Sequence, residues 1–103
     1  MYARLISFSG ADPEKRERVM QTMRETVIPM LRQHDGFAGY LGLYDERNRR
    51  AKGILLWESE DAAEAAEQEL TDRRRKLAGE IGLTVESADL YEALVVELET
   101  ARV

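Results

Sequence analysis

The sequence predicts an α+β fold with its elements in the order βαββαβ, and three observations predict it. Short runs of strand-forming residues occur near the start, in two consecutive stretches mid-chain and near the end. Two intervening segments carry apolar residues at three- and four-residue steps, each behind a helix-start signal at Asp12-Pro13 and at Ser59. Turn residues at Ser9-Gly10, Asp35-Gly36 and the polar run Asp45 to Ala51 separate them.

The opening run MYARLISFS reads as the first strand, with Tyr2, Arg4, Ile6 and Phe8 on one face and Ala3, Leu5 and Ser7 on the other. Asp12 can then accept from the free N–H groups of a first helical turn, and Pro13 has no N–H to leave unpaired there. Val19, Met20, Met23, Val27, Met30 and Leu31 form one apolar stripe. Pro29 lies inside it, so it should kink the last turn or end the regular helix just before itself. Gly36 is the expected left-handed cap.

Phe37 to Tyr44 alternates in strand period but contains Gly39 and Gly42, which points to a bulge or to close approach by another group. After the polar turn, KGILLWE is a third strand whose near-continuous apolar run implies cover on both faces. Ser59 is the expected N-cap of the second helix, with Glu60 and Asp61 suited to its positive end. Its buried face is Ala62, Ala63, Ala66, Leu70, Leu77 and Ile81, where the small residues allow close approach to a sheet. The last strand is placed over DLYEALVVELE, Asp89 to Glu99, although Leu90, Leu94 and Leu98 also fit a helical step.

This order is that of a ferredoxin-like fold, a four-stranded antiparallel sheet with two helices on one face. The chain of 103 residues is expected to form one domain, residues 1–103, with a single core. Strands one to three leave large apolar residues on the uncovered face too, and an apolar face of that size marks an interface. A two-fold homodimer joined through the sheet face is therefore expected.

Composition narrows the function. A net charge of −5 argues against a nucleic-acid partner, and the runs RNRR (Arg47 to Arg50) and RRRK (Arg73 to Lys76) read as solvated turn and helix surface. Nothing resembles a leader or a membrane span. The 0 cysteines exclude disulfides, thiolate metal sites and cysteine nucleophiles, and fit a cytoplasmic location. His34 could serve as a base or ligand, but a single His beside Asp35 at a helix end is more often a cap or a surface residue, and no further metal ligands cluster with it. Tyr40, Tyr44 and Tyr91 can offer phenol donors to a pocket or simply pack in strands.

Within this order, Leu31-Arg32-Gln33, then Gly36-Phe37-Ala38-Gly39, then Trp57-Glu58-Ser59-Glu60 carry a resemblance across nearly the whole chain. The sequence resembles the antibiotic biosynthesis monooxygenase-like group of the dimeric α/β-barrel superfamily. That resemblance implies a cofactor-independent oxygenase of a small aromatic or hydrophobic substrate, using neither cofactor nor metal. In such enzymes a phenol is deprotonated to an anion that reacts directly with O2, while the protein orients it and stabilises charge.

The resemblance also implies an Asn four residues before the Trp, a Tyr six residues after it and an Arg further along the second helix. Here the first two positions are Gly53 and Ala63, and only the cation is available, from Arg73, Arg74 or Arg75. The haem-degrading branch would need an Asn, a Trp and a His where this chain has Ala3, Ala66 and the neighbourhood of Lys76. Candidate pocket residues are thus Trp57, Tyr40, Tyr44, Arg4, Arg73, Arg74, Arg75 and His34, with Trp57 read as wall or core rather than catalyst. The missing Asn and Tyr predict weak binding of hydrophobic aromatics without turnover of anthrone-type phenols. The alternative is a non-catalytic ligand-binding or dimerisation module of the same fold.

Overall fold

The computed structural model describes residues 1–99. Strands β1 (Tyr2–Ser9), β2 (Phe37–Asp45), β3 (Arg50–Trp57) and β4 (Thr84–Glu92) form one sheet in the order β2-β3-β1-β4, with every neighbouring pair antiparallel. The connection from β1 to β2 is helical over Pro13 to Leu31, and α3 (Glu60–Glu80) joins β3 to β4. This is the ferredoxin-like arrangement.

Both helix starts form as their residues dictate. The Asp12 carboxylate accepts the Lys15 N–H at 3.0 Å and opens a 3-10 turn (Pro13–Lys15) ahead of α1 (Arg16–Thr22). Ser59 Oγ accepts the Ala62 N–H at 3.1 Å at the start of α3. Alternation sorts most strand side chains, with register shifts at Phe37/Gly39 of β2 on β3 and at Ser7/Phe8 of β1 on β4. Arg4 and Ile6 of β1 and Ala51, Leu55 and Trp57 of β3 are buried beneath the helices. Leu41 and Leu43 of β2 project from the opposite face and are about half exposed, at 47% and 49%.

Three expectations are corrected. First, β4 runs over Thr84–Glu92 and not over Asp89 to Glu99. The helix ends in a Schellman motif: the Leu83 N–H bonds the Ala78 carbonyl at 2.8 Å, the Gly82 N–H bonds the Gly79 carbonyl at 3.1 Å, and Gly82 takes φ +75°. The chain therefore reverses at Gly82, and Thr84 enters the sheet directly opposite Ser9 at the end of β1. By Glu92 the partner strand has run out at Tyr2, so the alternating Leu94, Val96 and Leu98 have no ladder to join, and Leu94 is 83% exposed.

Second, of the two outcomes expected of Pro29, an end to the helix just before it is not seen, since Pro29 lies inside α2. Lacking an N–H, it would interrupt the ordinary ladder; instead the chain widens into a π turn (Met23–Val27), with the Ile28 N–H reaching the Met23 carbonyl, before α2 (Ile28–Leu31) resumes. Third, Gly36 is left-handed, at φ +82°, but helix α2 has already closed at Arg32. Gly36 serves a close approach, since a Cβ there would stand 2.6 Å from the Cβ of Ala62.

Candidate functional site

The sheet and helices enclose two unlike volumes. At the end where β3 turns into α3, Trp57 is 1% exposed and packs with Ile6, Leu31, Leu55, Ala63, Ala66 and Leu70. Phe37 meets the indole edge-on at 5.6 Å between centroids, and the His34 ring does so at 6.4 Å. His34 Nδ1 also lies 3.7 Å from a carboxylate oxygen of Glu69. Neither Trp57 nor His34 borders the cavity described next.

Further along the same layer lies a cavity of about 530 Å³ between the first helical segment, the later turns of α3 and the helix-side face of β2 and β3. That volume is in the range of small-molecule sites, roughly 300–1,000 Å³. Ile6, Val27, Leu31, Leu55, Leu70 and Leu77 supply apolar wall. Met20, Met23 and Met30 add three thioethers, which adapt readily to the shape of a bound molecule. The π turn belongs to this site: Met23 opens it and Val27 closes it, and both line the cavity.

Two strand glycines shape the floor. Gly42 of β2 and Gly53 of β3 are direct cross-strand partners. A Cβ on Gly42 would stand 3.2 Å from the Tyr40 ring, and one on Gly53 would stand 2.9 Å from the Tyr40 hydroxyl. The phenol ring thus lies along the sheet in a bed that side chains would fill. This is the close approach that the strand glycines anticipated.

Tyr40 ends in a hydroxyl whose partner is the Met23 sulfur, at 3.8 Å, a weak acceptor. Burial pushes the Tyr40 phenol up to about 12, with the nearby Arg74 charge pulling it partly back. The group therefore stays protonated and able to donate. The Tyr44 ring also lines the cavity, but its hydroxyl is engaged elsewhere: it donates to the Asp12 carbonyl at 2.6 Å and accepts the Asp12 N–H at 3.1 Å. Tyr44 pins the start of the helical segment to β2.

Of the three consecutive arginines, only Arg74 faces inward, because successive helix residues point about 100° apart; Arg73 and Arg75 are exposed. Arg74 holds Glu67 through two hydrogen bonds, at 2.8 and 2.9 Å. The same carboxylate lies 3.6 Å from Nε of Arg4, which is 6% exposed and reaches Glu64 at 3.3 Å with Nη2. Burial pushes the Glu67 carboxyl up, but the hydrogen bonds and charge of Arg74, with Arg4 behind them, outweigh it and hold the group below the ordinary glutamate range. The buried Arg4 and the part-buried Arg74 share this carboxylate, so Arg74 is held in one geometry at the cavity wall. Arg4 stands behind it and does not line the cavity.

The charged side chains bordering the cavity are Arg16, Arg24 and Arg74, all cations in a chain of net charge −5, whereas the Lys52 ammonium lies on the opposite sheet face and donates to Ser7 Oγ at 2.9 Å. Among the described residues lining it there is no carboxylate and no imidazole. Of the sequence-derived candidates, the fold brings Tyr40, Tyr44 and Arg74 to the cavity and leaves Trp57, His34, Arg4, Arg73 and Arg75 outside it. Residue reasoning anticipated a close approach at Gly42 but missed the part Gly53 plays in it, the methionines as cavity wall and Glu67. The spacing of Tyr40 and Gly42 puts them on one strand face, but only the register of β2 on β3 sets Gly53 beside them.

Comparison with solved structures identifies the architecture. An antibiotic biosynthesis monooxygenase candidate from Deinococcus radiodurans superposes with a TM-score of 0.68 at 18% identity, over 98% of this chain and 100% of that one. This chain folds as the antibiotic biosynthesis monooxygenases do. SnoaB from Streptomyces nogalater, a cofactor-independent oxygenase, matches at TM-score 0.65 and 18% identity over 95% of this chain and 97% of its own. A dimeric ferredoxin-like protein from an uncultured marine organism matches at TM-score 0.68 and 8% identity, over 93% and 97% of the two chains. At such identities the likeness is one of fold. No protein-family model matches the chain, and no curated protein matches it in sequence. Among the described residues, no helix is long and apolar enough to cross a membrane.

Proposed function

We propose that this protein is a monooxygenase-like enzyme that binds a small aromatic molecule bearing an acidic hydroxyl and oxidises it with O2 without a cofactor. The observation that carries the reading is the cavity: apolar, about 530 Å³ in volume, and bordered by cations alone among its charged residues. Apolar walls suit an aromatic ring system, and the charge of Arg74, held in place by Glu67, favours its phenolate over its phenol, while Arg16 and Arg24 are solvent-exposed. The resemblance to cofactor-independent oxygenases and the shared fold of SnoaB support the chemistry. In that chemistry the substrate gives a proton to water, and its delocalised anion passes two electrons to O2 as a carbon–oxygen bond forms. The resulting peroxide takes up a proton, and the hydroperoxide then loses water as its O–O bond breaks, leaving a carbonyl.

Oxygen-electrode traces with anthrone-type phenols, with and without protein and in the presence of a chelator, test it. Protein-dependent consumption that persists with chelator supports the enzyme. Binding without consumption favours the second reading, a ligand-binding module, for which the Gly and Ala at positions 53 and 63 already speak.

The proposal includes a two-fold dimer through the uncovered sheet face, in the cytoplasm. Leu5, Leu41, Leu43, Ile54 and Leu56 lie on that face across three adjacent strands. Past β4, Leu94, Val95 and Leu98 add further exposed apolar surface. Light scattering at micromolar concentration should give twice the chain mass of 11.8 kDa, and Leu43→Glu should lower it to that of one chain. A wild-type protein that scatters as a single chain removes the sheet-to-sheet dimer.

A further inference from the structure

We propose that the Tyr40 hydroxyl, seated over Gly53 and beside Arg74, is the donor that recognises the ligand's oxygen and makes the cavity selective for hydroxylated over plain aromatic rings. The inference rests on the cavity's being a small-molecule site and names how that site reads its ligand.

The geometry argues for it in three steps. A strand position facing a helix layer ordinarily carries a side chain that fills space, yet two opposed positions, Gly42 and Gly53, carry none. Their vacant Cβ positions are taken by one residue, Tyr40, whose ring edge lies 3.2 Å from the first and whose hydroxyl lies 2.9 Å from the second. The sheet is thus cut away to deliver a phenol oxygen to the site where a residue-53 side chain would end.

A buried hydroxyl normally secures a strong acceptor. Tyr44, on the same face of the same strand, does so with the Asp12 carbonyl at 2.6 Å. Tyr40 has only the Met23 thioether at 3.8 Å, so its O–H remains available to a better acceptor entering the cavity. Finally, the wall charge on the same side is Arg74, already clamped by Glu67 and near enough to act on the Tyr40 phenol. An oxygen placed between them would receive a hydrogen bond from Tyr40 and the field of Arg74, and both strengthen as that oxygen becomes negative.

The test uses the full chain with two probes of nearly equal shape, 2-naphthol and naphthalene, in equilibrium dialysis at neutral pH. Tyr40→Phe should weaken 2-naphthol about three- to tenfold, the worth of one hydrogen bond, and leave naphthalene unchanged. Bound 2-naphthol, followed by the absorbance of its anion, should ionise at lower pH than in water, and Tyr40→Phe should move that ionisation back up. A purely structural role for Tyr40 would not move it.

Gly53→Ala offers an independent variant. Its methyl must displace the hydroxyl, so the loss for 2-naphthol should reappear with the Tyr40 ring still present. Equal weakening of both probes, or no change with either, overturns the role of Tyr40 while leaving the cavity reading standing. Failure of the wild-type protein to bind either probe overturns both.

Discussion

The two ends of the layer between sheet and helices are built from similar backbone and filled in opposite ways. At one end β3 presents Trp57, and α3 answers with Ala62, Ala63 and Ala66, so a large ring and small helix residues close the space. At the other end β3 presents Gly53 and α3 presents Leu70, Arg74 and Leu77, and the space stays open. The lesson concerns size order. Bulk on the sheet with alanine on the helix makes core, whereas glycine on the sheet with long side chains on the helix makes a site whose floor is a single tyrosine. The indole at Trp57 lies in the closed end, and the proposed chemistry is assigned to the end that looks underfilled.

The largest effect that would break this contrast is at the closed end. Trp57→Ala should cost about 3–5 kcal/mol in denaturant unfolding, because the surrounding rings cannot collapse into the space. Trp57→Phe, which keeps much of the volume, should cost about 1–3 kcal/mol. Wild-type emission should be blue and poorly quenched by iodide. A loss under 1 kcal/mol for the alanine variant, or a red and freely quenched emission, would mean that this end is not packed core.

Next in size is Arg74→Ala, which removes two charge-assisted hydrogen bonds from Glu67 and should destabilise by about 1–3 kcal/mol, partial exposure of the pair keeping the figure moderate. Its pH dependence has a definite sign. The folded state holds the Glu67 carboxyl below its ordinary value of 4.5, so the stabilisation is fully present above that pH and is lost as pH falls through the folded value. Urea midpoints measured between neutral pH and acid should therefore converge for the variant and the wild type as pH falls. Curves that stay parallel down to the acid limit would show that Glu67 and Arg74 are not coupled in the folded chain.

The smallest effects separate the two tyrosines. Tyr44→Phe forfeits the bond to the Asp12 carbonyl and should cost about 1 kcal/mol. Tyr40→Phe removes a hydroxyl with no strong partner and should leave the urea midpoint within about 0.5 kcal/mol of wild type. A reversal of that order would assign Tyr40 to structure and Tyr44 to the ligand, and the open end would lose its proposed donor.

The legibility of these features follows their range along the chain. The caps at Asp12 and Ser59, the helix stripes and the two-residue alternation of β1 are local, and they stand where the residues place them. The misplacement of β4 came from weighing alternation through Leu94, Val96 and Leu98 above the stop at Gly82, although a strand exists only where a neighbour offers a ladder. Pro29 shows the same limit: the missing N–H is local, but whether the helix breaks or widens depends on what the next turn packs against.

What the sequence determined by itself is the order of elements, the ferredoxin-like class and the pool of candidate side chains, because propensity, capping and periodicity act within a few residues of one another. What the tertiary structure alone decided is which candidates meet. The register of β2 on β3 set Gly42 against Gly53 and let Tyr40 lie across both, and the rotation of α3 chose Arg74 over its exposed neighbours Arg73 and Arg75. Those choices depend on contacts between residues far apart in the chain, and no local pattern encodes which pair of strand positions will face each other.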